Sequence, residues 1–178
     1  MINEWENDIG GVLFSEDDIK AMVDKVAGQI SKDYAGRNPL LVVVLKGSMI
    51  FAADLMRAMT INSEVDFMIV SSYSGTESTG VIKIIQDLRT DIKGRDVIII
   101  EDILDSGKTL YRLKNMLETR DPSSIKICTL LDKPSGRKAD ISADYVGGLV
   151  GDEFIVGYGL DYDQKYRNIP YIGVMRNS

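Results

Sequence analysis

The stretch Val97–Leu110 constrains the fold most, because it joins an apolar run to a helical pattern through a loop of acids and small polar residues. Val97–Ile100 is an uninterrupted β-branched run, which is typical of a parallel strand covered on both faces. Leu110, Leu113 and Leu117 then recur at helical spacing. The sequence therefore predicts a strand, a loop and a helix in that order, as in sheets with helices on both faces.

The loop between this strand and helix has the composition of an anion-binding site. Ligands of open α/β sheets bind beyond the carboxyl ends of the strands, where the N–H groups of a helix N-terminus can face an anion. Residues 105–109 place hydroxyl groups there, and Ser106 and Gly107 are small enough for a phosphate to approach the backbone. We therefore predict phosphate binding by this loop.

Two other interpretations of the loop are less consistent with its residues. Gly107-Lys108-Thr109 matches the end of G-x-x-x-x-G-K-[ST], but Asp102 occupies the position of the first glycine, so a triphosphate P-loop is excluded. Alternatively, Glu101 and Asp102 could be a solvated strand end and Ser106 a helix cap. Four acidic or phosphate-binding positions in one turn are more than capping requires.

The composition bounds the class of protein. A chain of 178 residues with 44% hydrophobic and 27% charged residues predicts one domain, residues 1–178. The sequence shows neither a signal peptide nor a membrane-length apolar run, so we expect a cytoplasmic protein without a membrane partner. The net charge of −6 argues against nucleic-acid binding.

The absence of histidine excludes a histidine base, a Ser-His-Asp triad and His-ligated zinc. Acid–base chemistry would therefore use carboxylates, Lys or Tyr. The single cysteine, Cys128, lies in the apolar run Ile125–Leu131, which predicts a buried structural thiol.

The rest of the chain alternates strand and helix patterns, which predicts a parallel sheet with helices on both faces. Ser15 and Asp18 form a capping box ahead of an apolar stripe at helical spacing. The other predicted strands are Leu40–Leu45, Val65–Val70, Val81–Gln86, Ile125–Leu131 and Phe154–Val156. Gly147–Gly151 is predicted to be a loop of a small C-terminal subdomain.

Five blocks of the sequence, in their order along the chain, resemble the hypoxanthine-guanine phosphoribosyltransferases of the type I phosphoribosyltransferase superfamily. The motif E-D-x-x-D-[ST]-G-x-T is matched at 101–109, and the other blocks are Leu45–Gly47, Ser71–Tyr73, Leu130–Lys133 and Phe154–Tyr162. The similarity runs from about Leu13 to Val174. It implies an α/β fold in which helices flank a central parallel sheet, with a small hood formed by residues near 1–14 and 133–178.

The resemblance also implies an activity. Members of this family transfer the 5-phosphoribosyl group of phosphoribosyl diphosphate to N9 of hypoxanthine or guanine, giving IMP or GMP plus pyrophosphate in purine salvage. The family uses Mg²⁺ and associates as homodimers or homotetramers, for which the helix Gly47–Met59 could be contact surface or core. Two alternatives are less consistent with the sequence. A phosphoribosyltransferase for adenine, xanthine or a pyrimidine fits the pair Lys133 and Phe154 less well, and a non-catalytic regulator with the same fold would show a basic face or a degraded acid pair, whereas here the acids are intact and the charge is negative.

Residue roles follow by matching positions. Glu101 and Asp102 match the residues that hold the ribose hydroxyls and Mg²⁺, and Asp161 matches a second magnesium ligand. Asp105 matches the general base or acid near N7 of the purine. The residues matching the ribose 5′-phosphate site are Asp105, Ser106, Gly107, Lys108 and Thr109.

The remaining matches concern pyrophosphate, purine and a lid. Lys46, Gly47 and Arg167 match the pyrophosphate contacts, with Arg137 as a further candidate, and the family often has a non-proline cis peptide at Lys46. Lys133 matches the donor to the purine 6-oxo group, which favours 6-oxopurines over adenine. Phe154 matches the ring that stacks on the base, and Ile155 a backbone contact. Ser72 and Tyr73 match a lid within the loop Ser71–Gly80.

Overall fold

Strands and helices alternate along residues 3–72 and 82–176, the part of the chain that this computed structural model describes. The helices are α1 (Glu16–Asp33), α2 (Met49–Ala58) and α3 (Lys108–Glu118). The strands are β1 (Ile9–Phe14), β2 (Leu40–Leu45), β3 (Glu64–Ser72), β4 (Ile82–Gln86), β5 (Asp96–Leu104), β6 (Ser124–Asp132), β7 (Tyr145–Leu149), β8 (Ile155–Val156) and β9 (Ile172–Met175).

A six-stranded sheet in the order β4-β3-β2-β5-β6-β7 forms the centre of the protein. Five of its strands are parallel, and helices cover both faces: α1 and α2 pack on one side and α3 on the other. The two middle strands, β2 and β5, are buried along most of their apolar runs. This arrangement confirms the predicted parallel sheet and places β5 at its centre.

The start of α1 confirms the predicted capping box. The backbone N–H of Asp18 donates to the Ser15 hydroxyl at 3.2 Å, and the Ser15 N–H donates to the Asp18 carboxylate at 2.9 Å. Two backbone donors that a helix start leaves free are thereby satisfied. The buried face of α1 carries Ile19, Val23 and Ile30, as its apolar stripe predicts.

The structure corrects the prediction that Gly147–Gly151 is a loop. Residues up to Leu149 belong to β7, which pairs in parallel with β6 at the edge of the sheet. Glycine is needed at position 147 because a Cβ there would overlap the Leu130 carbonyl oxygen of β6 and stand 3.1 Å from Cβ of Met22 on α1. Glycine lowers strand propensity, so the local sequence obscured a strand that pairing with β6 forms.

Two other features of the sheets were not predicted. The strand β4 runs antiparallel to β3 at the opposite edge, so the sheet is mixed. A second, three-stranded sheet in the order β1-β9-β8 joins the two ends of the described chain. Phe154 directly precedes β8, so this small sheet places the aromatic of the predicted purine site.

We expect Leu113→Ala to lower the free energy of unfolding by about 2–5 kcal/mol, because the side chain is fully buried between α3 and the sheet. Tyr111→Ala is the matched control, since this residue of the same helix is 44% exposed, and its expected change is within roughly 0.5 kcal/mol. Urea denaturation measures both values. Equal losses in the two variants would contradict this assignment of the core.

Candidate active site

Three neighbouring parallel strands bring the predicted site residues to one edge of the sheet. Lys46 and Gly47 directly follow β2, Asp105 follows β5, and Lys133 follows β6. From β2 the chain passes to β3 on one side and later to β5 on the other, so the strand order reverses between β2 and β5. Ligands of open α/β sheets bind at such a switch point.

A cavity of about 260 Å³ lies at this edge. It is lined by most of the residues predicted to contact the phosphates and the ribose: Lys46, Gly47, Glu101, Asp102, Asp105, Ser106, Gly107 and Thr109. Lys108 does not line it, because it is the exposed first residue of α3. The alternative that Ser106 caps α3 is wrong, since Gly107 holds the cap position and no side chain caps the helix.

A second cavity of about 280 Å³ adjoins the first. It gathers the residues predicted to contact the purine, Lys133, Phe154, Ile155 and Asp161, together with Glu153 and Leu160, which sequence reasoning missed. Asp102, Ile103 and Asp105 line both cavities. The predicted general base or acid thus lies where the two cavities meet.

The aromatic ring of the second cavity is only partly covered. Phe154 is 42% exposed, and its ring meets that of Tyr162 edge to face, with 5.4 Å between centroids. A planar ligand can therefore stack on the free part of the Phe154 ring. The Lys133 ammonium group has a long contact of 3.5 Å with the Glu153 carbonyl, which leaves donors for a ligand.

Two adjacent, partly buried carboxyl groups lie near the end of β5. Burial, together with the neighbouring Asp102 carboxylate, raises the pKa of Glu101 well above its usual value. Burial also raises the pKa of Asp102, and the positive charge of Arg167 acts in the opposite direction. Two such groups favour a proton or a cation between them.

This acid pair fits the magnesium ion that the family resemblance implies. No cluster of three or more acidic, His or Cys ligands occurs within residues 3–72 and 82–176. Mg²⁺ is usually bound by one or two carboxylates together with the phosphates of a substrate, so a larger cluster is not required. Glu101, Asp102 and, on the purine side, Asp161 are the residues that could hold it.

The loop after β2 packs tightly against this acid pair. The peptide bond between Leu45 and Lys46 is cis, as the resemblance implied. A Cβ at Gly47 would overlap the Asp102 carboxylate, so only glycine fits at this position. The Lys46 ammonium group donates to the side-chain carbonyl of Gln164 at 3.1 Å.

Arg167 lies beside the predicted metal ligand Asp161. Its guanidinium donates to the Asp161 carboxylate at 2.7 Å and to the Gly159 carbonyl at 2.7 Å. Arg167 lines neither cavity, although its charge affects Asp102. These two contacts leave further guanidinium donors of Arg167 unused, so its match to a pyrophosphate contact stays a prediction.

Arg137 does not match its suggested role as a pyrophosphate contact. Its guanidinium donates to the backbone carbonyls of Leu104, Asp105 and Ile141 and pairs with the Asp132 carboxylate. It lines neither of the two cavities. In the structure, Arg137 instead binds backbone carbonyls at the start of the phosphate loop.

Gly136 is another residue that sequence reasoning missed. A Cβ at this position would overlap the carboxylate of Asp105, so glycine leaves the space in which this acid lies. No signal in the sequence pointed to it, because Gly136 is 31 positions away from Asp105 along the chain.

The predicted lid and the predicted structural thiol have different outcomes. Ser72 ends β3, and Tyr73 with residues 74–81 lies outside the described residues, so the lid stays a prediction. Cys128 is buried within the sheet, and burial raises the pKa of its thiol far above the usual range. This confirms that Cys128 is a structural residue.

Comparisons with known proteins agree with the geometry of the site. Residues 13–163 match the model of the phosphoribosyl transferase domain. The chain is 55% identical over 172 residues to a hypoxanthine-guanine phosphoribosyltransferase of Streptococcus thermophilus and 54% identical to that of Streptococcus pneumoniae, covering 96% of each chain in both cases.

A solved structure shares the fold. It is a hypoxanthine phosphoribosyltransferase of Staphylococcus aureus with 48% sequence identity and a TM-score of 0.95, and the alignment covers 99% of this chain and 96% of that one. None of the helices in the described part of this chain has the length and apolarity needed to span a membrane. The chain belongs to the phosphoribosyl transferase domain family and, within it, to the hypoxanthine-guanine phosphoribosyltransferases.

Proposed function

We propose that this protein transfers the 5-phosphoribosyl group of phosphoribosyl diphosphate to N9 of hypoxanthine or guanine, releasing pyrophosphate. One observation carries the proposal: a cavity with a phosphate loop and an acid pair adjoins a cavity with an ammonium donor and an exposed ring, and both are lined by Asp102 and Asp105. The first cavity would hold the phosphoribosyl group and the second the purine. Because the substrate is a phosphorylated metabolite of the cell interior, we infer a cytoplasmic location.

The chemical problem in this reaction is charge. The ribosyl group becomes positively charged in the transition state, while a highly charged pyrophosphate departs. A bound Mg²⁺ would neutralise part of the pyrophosphate charge. Glu101 and Asp102 would accept hydrogen bonds from the ribose hydroxyls and face the developing positive charge. Lys46 and the backbone at Gly47 would contact the leaving group.

The purine cavity supports discrimination between bases. The Lys133 ammonium group has only donors, so it would pair with a 6-oxo group and leave a 6-amino group without a partner. Phe154 would stack on the base, and the backbone of Ile155 would contact its edge. We also infer that the small β1-β9-β8 sheet is the hood of this cavity, because Phe154 and Ile155 lie at the start of β8.

Asp105 would exchange a proton with N7 of the purine. It lines both cavities, and its carboxylate lies in the space that a Cβ at Gly136 would fill. A carboxylate suits a proton that is shared with the ring nitrogen during attack by N9. The lack of histidine in the sequence leaves it as the best placed acid or base.

An uncovered apolar face supports a homodimer. Val65 and Phe67 are aligned with Leu41 and Val43 of β2, so they share the sheet face that α2 covers, yet they are 39% and 38% exposed. On α2, Phe51 and Leu55 are core, whereas Met49 and Met56 are exposed. A second copy of this chain would cover this apolar face, which we define by Met49, Met56, Val65 and Phe67.

Product formation tests the activity and the role of Lys133. With phosphoribosyl diphosphate and Mg²⁺, we expect hypoxanthine or guanine to give a nucleotide, and adenine and uracil to give none. Lys133→Met should lower kcat/KM for the 6-oxopurine by roughly 10–100-fold, since it removes a charged hydrogen bond. Lys138→Met, an exposed lysine that lines neither cavity, is the control. Equal use of adenine by the unmodified protein would contradict the proposal.

The variant Asp105→Asn tests the proton transfer. Asparagine has the shape of aspartate and fits against Gly136, but it cannot accept the proton, so we expect kcat to fall by about 10²–10⁴-fold. Binding of phosphoribosyl diphosphate, measured by calorimetry, should change little. Asp140→Asn replaces an exposed acid outside both cavities and should keep full activity. An unchanged kcat in Asp105→Asn would rule out this role.

Light scattering tests the dimer. We expect the unmodified protein to have at least twice the chain mass of 19.7 kDa, and Phe67→Glu to shift it towards the monomer because a carboxylate would be buried. Val12→Glu, at a 57% exposed position on the small sheet, is the control and should leave the mass unchanged. A monomeric unmodified protein, or a Phe67→Glu protein of unchanged mass, would contradict the interface.

A further inference from the structure

Three successive carbonyl groups at the start of the phosphate loop, those of residues 104–106, point to one neighbouring segment. The Leu104 carbonyl accepts from the backbone N–H of Lys133 at 3.0 Å, and the Ser106 carbonyl accepts from those of Lys138 and Ala139 at 2.9 and 3.1 Å. Between them, the Asp105 carbonyl accepts from Nε of Arg137 at 2.9 Å. Residues 133–141 therefore bind three successive carbonyls of the loop.

These contacts determine where the N–H groups of the loop point. In a planar trans peptide, the C=O and the following N–H lie in opposite directions. The N–H groups of Asp105, Ser106 and Gly107 are therefore directed away from residues 133–141, and these three residues line the 260 Å³ cavity. No hydrogen bond within the described part of the chain uses these N–H groups. They are free to bind an anion together.

Arg137 supplies the side-chain contacts of this arrangement. One guanidinium donates to the carbonyls of Leu104 at 3.1 Å, Asp105 at 2.9 Å and Ile141 at 2.5 Å, and it also pairs with the Asp132 carboxylate. The side chains of Arg137 and Asp132 are only 18% and 17% exposed, so this ion pair is partly buried. A planar fork with five donors makes this set of bonds, and a lysine ammonium group cannot reproduce it.

We infer that Arg137 is a positioning residue for the 5′-phosphate site. By holding the carbonyls of Leu104 and Asp105 on the outer side of the loop, it keeps the N–H groups of Asp105 and Ser106 directed at the phosphate. It acts through the backbone and does not contact the ligand. This inference rests on the proposed function, which places the 5′-phosphate in the loop 105–109.

The ratio of two dissociation constants isolates this role. Inosine and inosine 5′-monophosphate differ only in the phosphate. The Kd of inosine divided by the Kd of inosine 5′-monophosphate, both measured by calorimetry, therefore reports the phosphate site alone. We expect Arg137→Met to reduce this ratio by about tenfold or more, with the affinity for inosine retained. Arg137→Lys keeps the charge but loses the fork, and it should also reduce the ratio. Lys93→Met removes an exposed charge before the start of β5, away from the loop, and should leave the ratio unchanged.

Other outcomes would overturn the inference. A general loss of stability would weaken both ligands equally and leave the ratio unchanged. A direct contact with the leaving group would lower the affinity for pyrophosphate while the ratio stays constant. Full retention of the ratio in Arg137→Lys would assign the effect to charge. If Arg137→Met does not fold, Arg137→Lys alone decides between these results.

The same series separates this inference from the proposed function. An unmodified protein that forms no nucleotide from hypoxanthine or guanine would contradict the proposed function itself. An active unmodified protein whose Arg137 variants keep the ratio would overturn only the role of Arg137.

Discussion

The placing of two adjacent, partly buried carboxyl groups near the end of the central strand is the constraint on which the site depends. Glu101 and Asp102 are adjacent, and burial raises the pKa of both carboxyl groups. Such a pair costs free energy in the empty protein, and a cation with hydroxyl donors relieves that cost. The backbone of β5 nevertheless stays in place, because β5 lies between the apolar strands β2 and β6 and has helices on both faces. At the ligand-binding edge, ionisation of the two carboxyl groups is therefore unfavourable without a ligand, while the backbone that carries them is held in place by its neighbours.

At the same edge, much of the binding surface is formed by backbone groups of the loops after β5 and β2. The loop after β5 directs its carbonyls outward to residues 133–141 and its N–H groups into the cavity. The loop after β2 approaches Asp102 so closely that only glycine fits at position 47. Both loops depend on parts of the chain far away in sequence. Their shape is therefore a property of the whole sheet edge and not of the motif alone.

Local patterns predicted the features that local interactions determine. The capping box of α1, the apolar run of β5 and the helical stripe of α3 follow from neighbouring residues, and each is present. The motif at 101–109 also predicted most of the residues that line the first cavity. Lys108 was included because the motif includes it, although its side chain begins the exposed face of α3.

Tertiary packing determines what the sequence did not reveal. Gly147 and Gly148 suggested a loop, yet they belong to β7, which pairs with β6, and the Leu130 carbonyl of β6 leaves no room for a Cβ at Gly147. Arg137 suggested an anion contact, since a guanidinium suits phosphates and carbonyls alike. Only the fold shows that the Leu104 and Asp105 carbonyls lie within its reach.

A crystal structure of the protein with bound inosine 5′-monophosphate would test the central claim, that the two adjoining cavities hold the two halves of a nucleotide. The account predicts the phosphate at the N–H groups of residues 105–107, the ribose beside Glu101 and Asp102, and the base on Phe154 with its 6-oxo group at Lys133. A nucleotide bound in the reverse orientation, or outside these cavities, would contradict it.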